Sequence, residues 1–132
     1  MSPPRDDQST PPPALLLIDH GTRDAETNAR LAELARRVGE RRPDWRVAHA
    51  HMEFGEPDLA HAVAALVAAG TTEIRIQPYF LSAGYHVTTS IPALVEEAKA
   101  MHPEVTFLLT APVGEDERLI DIVADQIPDA DP

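Results

Sequence analysis

At 132 residues, 43% of them hydrophobic, the chain is long enough for one domain with a real core, and no apolar run approaches a membrane span. A net charge of −11 argues against nucleic acid or an anionic membrane as partner. With no cysteine, disulfides, thiolate metal sites and cysteine-held iron–sulfur clusters are excluded, and any metal must be held by nitrogen and oxygen. The opening MSPPRDDQSTPPP has no apolar h-region of a secretory signal, so the expected location is the cytoplasm. It holds five of the thirteen prolines, which predicts a disordered tail over 1–13. One α/β domain is expected over 14–128, followed by a disordered acidic tail over 129–132.

Four strand–helix units follow the tail. The first strand, Ala14–Asp19, is a continuous apolar run of the kind buried on both faces. The first helix starts near Asp24 or Ala25, carries Leu31, Leu34, Ala35 and Val38 at helical spacing, and ends before Pro43. Arg30, Arg36, Arg37, Arg41, Arg42 and Arg46 cluster here, a run that reads as a solvated helix face. The second strand is Arg46–Met52. Glu56-Pro57-Asp58 opens the second helix, whose buried stripe is Leu59, Val63, Leu66 and Val67 and whose stop is Gly70. The third strand is Glu73–Pro78. The third helix begins around Ser90-Ile91-Pro92, buries Leu94, Val95, Ala98 and Met101, and stops before Pro103. Val105–Thr110 is the fourth strand, and Asp116–Ile127 the fourth helix, with Leu119, Ile122 and Val123 inward. Strands alternating with helices predict a three-layer α/β/α fold on a four-stranded parallel sheet, in a flavodoxin-like or Rossmann-like order. Neither G-x-G-x-x-G nor G-x-x-x-x-G-K-[ST] occurs, so dinucleotide and P-loop chemistry are set aside.

His20, Glu53 and His86 lie at equal intervals of 33 residues, each at or just past the end of a predicted strand. The carboxyl ends of parallel strands gather along one rim, where ligands bind, so the spacing places the three in one crevice. Two histidines and a carboxylate suit an open site for a divalent first-row metal. The same set can pass protons between a ligand and solvent. His49, His51 and Glu53 alternate along the second strand and are expected on one face, either at an open sheet edge or around a polar cavity. Tyr79, Phe80 and Leu81 suit the wall of a flat hydrophobic ligand site, and Gly84 gives the loop before His86 room to bend. His61 and His102 are read as structural. A histidine-phosphatase reading of His20-Gly21 fails because Asp19 before it would repel phosphate.

The segments LLLIDHGTRD, VAHAHMEFGEPDL and PYFLSAGYHVTTSIPALVEEAKAMHPEV resemble the small sirohydrochlorin chelatases of the CbiX/SirB family, from about Leu15 to Ile127. The resemblance implies ATP-independent insertion of Co²⁺, Fe²⁺ or Ni²⁺ into sirohydrochlorin or a related tetrapyrrole. It implies no organic cofactor, the metal being a substrate, and a homodimer. By it, His20 and His86 hold the metal and assist deprotonation of the ring, and Glu53 belongs to the same site. Thr22, Arg23, Ser82, Gly84 and Tyr85, beside those residues in the same motifs, are the expected tetrapyrrole contacts. The chain departs from the family pattern at Tyr85, where relatives often have a basic residue, and at Ser90, where they often have an acid. Because the substrate is a polycarboxylate, these changes keep open a second reading, a metal or tetrapyrrole carrier on the same fold.

Overall fold

The computed structural model describes residues 10–130. Its sheet has four parallel strands in the order β2-β1-β3-β4, where β1 is Ala14–Gly21, β2 Arg46–Phe54, β3 Glu73–Pro78 and β4 Thr106–Leu109. This is the flavodoxin-like order, with the chain reversing direction across the sheet at β1. Of the predicted tail, residues 1–9 and the last two residues lie outside the described residues. The ladder begins earlier than the proline content suggests, since the Pro13 carbonyl accepts from Arg46 N–H at 2.9 Å.

One face of the sheet carries most of the core. Ala14, Leu16 and Ile18 of β1, Ala50 of β2, Ile74 and Ile76 of β3 and Phe107 of β4 meet two helices there, α2 (Leu59–Ala68) and α3 (Ile91–Met101). The other face is covered by α1 (Ala25–Arg41), whose Leu31 and Ala35 bury Leu17. Period-two alternation along buried strands puts neighbouring residues on opposite faces, which is why both layers draw on one apolar run.

Local signals set the helix ends. Asp24 caps α1 and Asp58 caps α2, each accepting from an N–H of the first turn. The second helix therefore starts one residue after Asp58, with Pro57 ahead of the cap rather than inside the first turn. After α2, Gly70 adopts φ 97° while its N–H and that of Thr71 bond back to Val67 and Leu66, closing the helix as a Schellman motif.

Two expectations about burial fail. Met101 is 74% exposed at the end of α3. The last helix, α4 (Arg118–Asp125), is shorter than predicted and buries no residue; Leu119 is half-buried, while Ile122 and Val123 are 53% and 62% exposed. Helical spacing shows that a face is apolar but not what covers it. On the α1 side, β3 and β4 present Arg75, Gln77 and Leu108, which offer no continuous apolar floor for α4. No helix among the described residues is long and apolar enough to cross a membrane.

Candidate functional site

Strands β1 and β2 run further than the apolar pattern implies, to Gly21 and Phe54, so His20 and Glu53 belong to the strands themselves. The register between them slips at this end: Asp19 faces His51, but Gly21 faces Phe54. β2 thus inserts one extra residue, a bulge that turns the following side chains over. Before the bulge His51 points to the α1 side and accepts or donates at Nδ1 with Asp19 Oδ1 at 2.7 Å. After it, Glu53 points to the opposite side and meets His20, Nε2 to Oε1 3.2 Å. The expectation that His49, His51 and Glu53 share one face is therefore corrected, and the bulge is the reason. Asp19 is turned away from His20 and holds the buried His51.

His86 completes the group from the other side of β1. It lies beyond β3 in a single wide turn, His86–Ser90, that runs directly into α3. Its ring centroid is 4.8 Å from that of His20. The three residues singled out by their spacing do converge at the rim, over the switch point of the sheet.

Each of the two histidines has a hydrogen-bond partner at Nδ1. His20 Nδ1 is 3.1 Å from the Gly21 carbonyl, which only accepts, so Nδ1 carries a proton, and in the neutral ring Nε2 is the lone-pair nitrogen facing Glu53. Ligating histidines are commonly fixed in this way. His86 Nδ1 lies 3.3 Å from Ser90 Oγ, so Ser90 is the partner of this ring. Two acceptors, His20 Nε2 and Glu53 Oε1, then face each other and call for a shared proton or a cation. Imidazole and carboxylate match the donor preference of late first-row divalent ions. No three His, Asp or Glu side chains among the described residues form a ready-made metal cage, so the site is an open pair with His86 facing it.

Of the expected tetrapyrrole contacts, Arg23 stands at the rim with its guanidinium 4.7 Å above the Phe54 ring. Phe54, which the motif reading passed over, also packs 5.8 Å from the His20 ring and so joins the cation to the histidine. Ser82, Gly84 and Tyr85 lie in the exposed loop before His86, where Leu81 and Tyr85 are 76% and 71% exposed. Gly84 is not a conformational hinge: its φ is not positive and a Cβ there would meet open space. Thr22 faces inward to the loop, donating its hydroxyl to the Asp24 carbonyl at 3.0 Å. On the far side of Glu53 a cavity of about 600 Å³ is lined by Glu56, Asp58 and His61. His61 is exposed rather than built into the core, and the Asp58 carboxylate raises its pKa above the ordinary value.

These features define an α/β protein with a histidine–histidine–carboxylate group at the switch-point rim, beside an exposed aromatic loop. The CbiX family model matches residues 14–130, and the chain belongs to that family. It is 34% identical over 113 residues to the chloroplastic sirohydrochlorin ferrochelatase of Arabidopsis thaliana, covering 86% of this chain and 50% of that protein. It is 31% identical over 137 aligned residues to the sirohydrochlorin cobaltochelatase of Methanocaldococcus jannaschii, covering 86% of this chain and 96% of that one. Among solved structures, a CbiX protein of Marinobacter aquaeolei superposes with a TM-score of 0.76 at 32% identity, over 87% of this chain and 93% of that chain. The chain thus spans about half of the plant enzyme and nearly all of the archaeal one.

Proposed function

We propose that the chain is a sirohydrochlorin metallochelatase, inserting Co²⁺, Fe²⁺ or Ni²⁺ without ATP in the cytoplasm, with His20, His86 and Glu53 as metal-holding and proton-accepting residues. The observation that carries this reading is the His20–Glu53 contact of 3.2 Å with the His86 ring tilted beside it, centroids 4.8 Å apart, in a chain of the CbiX family. The ion is a substrate, not a resident cofactor, and an open pair of labile nitrogen and oxygen donors suits a cargo that must leave.

Insertion exchanges one divalent ion for two pyrrole protons. As the ion passes to the ring, His20 Nε2 and Glu53 regain free lone pairs, and the groups that released the ion become the bases for those protons. The Gly21 carbonyl on Nδ1 keeps His20 aimed throughout. Arg23 over Phe54 is the cation placed to meet a substrate carboxylate, and the exposed Leu81 and Tyr85 offer an apolar wall for the macrocycle. Binding energy at that wall spent on bending the ring lowers the barrier with no nucleotide needed.

A homodimer is part of the proposal, with a second copy covering the apolar face of α4. Two features support it: that face is uncovered, and the acidic α4 region is opposite in charge to Arg30, Arg37 and Arg41 on α1. Neither nucleic acid nor membrane is a proposed partner.

The test is anaerobic incubation with sirohydrochlorin and each ion, followed by the visible spectrum. Insertion is expected, falling by roughly 10²-fold or more in His20→Ala and His86→Ala. Unchanged rates in both variants sink the site assignment, and tight binding without faster insertion makes the protein a carrier.

A further inference from the structure

The strand ends that carry His20 and Glu53 come from different parts of the chain, yet one side chain clasps the segments just beyond both. Asn28 closes the first turn of α1, where its backbone N–H bonds to the Asp24 carbonyl at 3.1 Å. Its amide treats Thr22 as a strand neighbour would: Oδ1 accepts from Thr22 N–H at 2.9 Å, and Nδ2 donates to the Thr22 carbonyl at 2.8 Å. Nδ2 also reaches the Phe54 carbonyl at 3.4 Å. Thr22 is two residues past His20, and Phe54 directly follows Glu53. A primary amide presents a donor and an acceptor side by side, and the N–H of Thr22 fixes which end is oxygen.

The packing around the amide makes room for it. A Cβ at Gly55 would overlap Asn28 Nδ2 and stand 3.1 Å from His51 Cδ2, and one at Gly21 would overlap the Phe54 carbonyl. Asparagine is a poor residue inside a helix because its side chain competes for backbone groups. Here it satisfies such groups in two other segments.

We infer that Asn28 is a positioning residue whose amide sets the distance between His20 and Glu53. It touches neither ion nor ring and acts through the Thr22 and Phe54 main chain. The inference rests on the metal-site reading for its purpose, but not for its geometry.

Two arms test it on the full chain, with Asn28→Ala and Asn28→Asp each checked for folding by circular dichroism. Asn28→Asp keeps an acceptor for Thr22 N–H but sets a carboxylate against two carbonyls, so it behaves like the alanine variant. In the first arm the His20 ring resonance is followed by NMR at one pH without metal. Glu53→Gln shifts it in the Asn28 background and scarcely moves it in either variant; equal shifts in all backgrounds overturn the inference. In the second arm Co²⁺ is titrated. Asn28→Ala weakens binding roughly tenfold, the usual scale for an outer partner of a ligand, and Glu53→Gln added to it weakens binding little further. Fully additive losses overturn the inference, since a general loss of stability adds. If His20→Ala leaves Co²⁺ affinity unchanged, the metal-site reading fails by itself, and the NMR arm still decides Asn28.

Discussion

Gly21 follows His20 and Gly70 closes α2, and both adopt positive φ, 85° and 97°. Replacing each by alanine separates backbone strain from close packing. A Cβ in the left-handed region costs about 1–2 kcal/mol, and the stiffer unfolded chain returns about 0.4–1 kcal/mol. At Gly70 nothing lies within 4 Å, so the net loss there stays near 1 kcal/mol. At Gly21 the new carbon overlaps the Phe54 carbonyl and comes within 2.9 Å of His51 Cβ. The β2 end must move away, giving up ladder hydrogen bonds and straining the contact of buried His51 with Asp19, a further loss of about 2–3 kcal/mol. Gly21→Ala should therefore melt roughly 10 °C below Gly70→Ala, at a few degrees per kcal/mol for a domain of this size. The Phe54 shift also carries Glu53 away from His20, so Co²⁺ affinity falls in Gly21→Ala and holds in Gly70→Ala. Thermal melts and Co²⁺ titration read both effects. Equal losses in the two variants would refute the claim that the close approach of β1 and β2 builds the site.

Asp19→Ala leaves the Nδ1 of His51, 1% exposed, without its partner; the expected cost in urea denaturation is about 1–3 kcal/mol, and no loss would show that the pair is idle. Burial first, then the neighbouring His51, holds His49 below the ordinary histidine value of 6.5, against an opposing pull from Asp19. The unfolded chain therefore takes the proton first, and the stability His49 contributes above 6.5 is lost as pH falls through its folded value. His49→Gln should flatten the fall in the urea midpoint between about pH 7 and about pH 5; an unchanged slope assigns it to other groups. Ile122, 53% exposed on α4, tests the homodimer. Ile122→Glu should sediment as a monomer with an unaltered circular dichroism spectrum, and a wild-type protein that is itself monomeric across concentration refutes the paired form.

The order of strands and helices was legible because each element announces itself locally. Apolar runs mark β1 and β3, Asp24 and Asp58 mark helix starts, and Gly70 marks a stop whose hydrogen bonds follow the motif that glycine predicts. The convergence of His20, Glu53 and His86 was legible too, since equal spacing in a parallel sheet reads directly as one rim. What escaped depends on register, which no single segment encodes. The bulge opposite Gly21 appears only when β1 and β2 pair, and it alone decides that Glu53 faces His20 while His51 turns to Asp19. Asn28 escaped for a related reason: its meaning lies in two carbonyls from segments that meet only in the fold. The exposed face of α4 is the converse case, a pattern the sequence declares plainly and the isolated chain does not use. The rim thus has two layers of information. Residue identity supplies donors of the right chemistry, and strand register, held by Gly21 and Asn28, brings two of them to 3.2 Å. A variant of this family that kept all three donors but lost the bulge would carry the motif without the site.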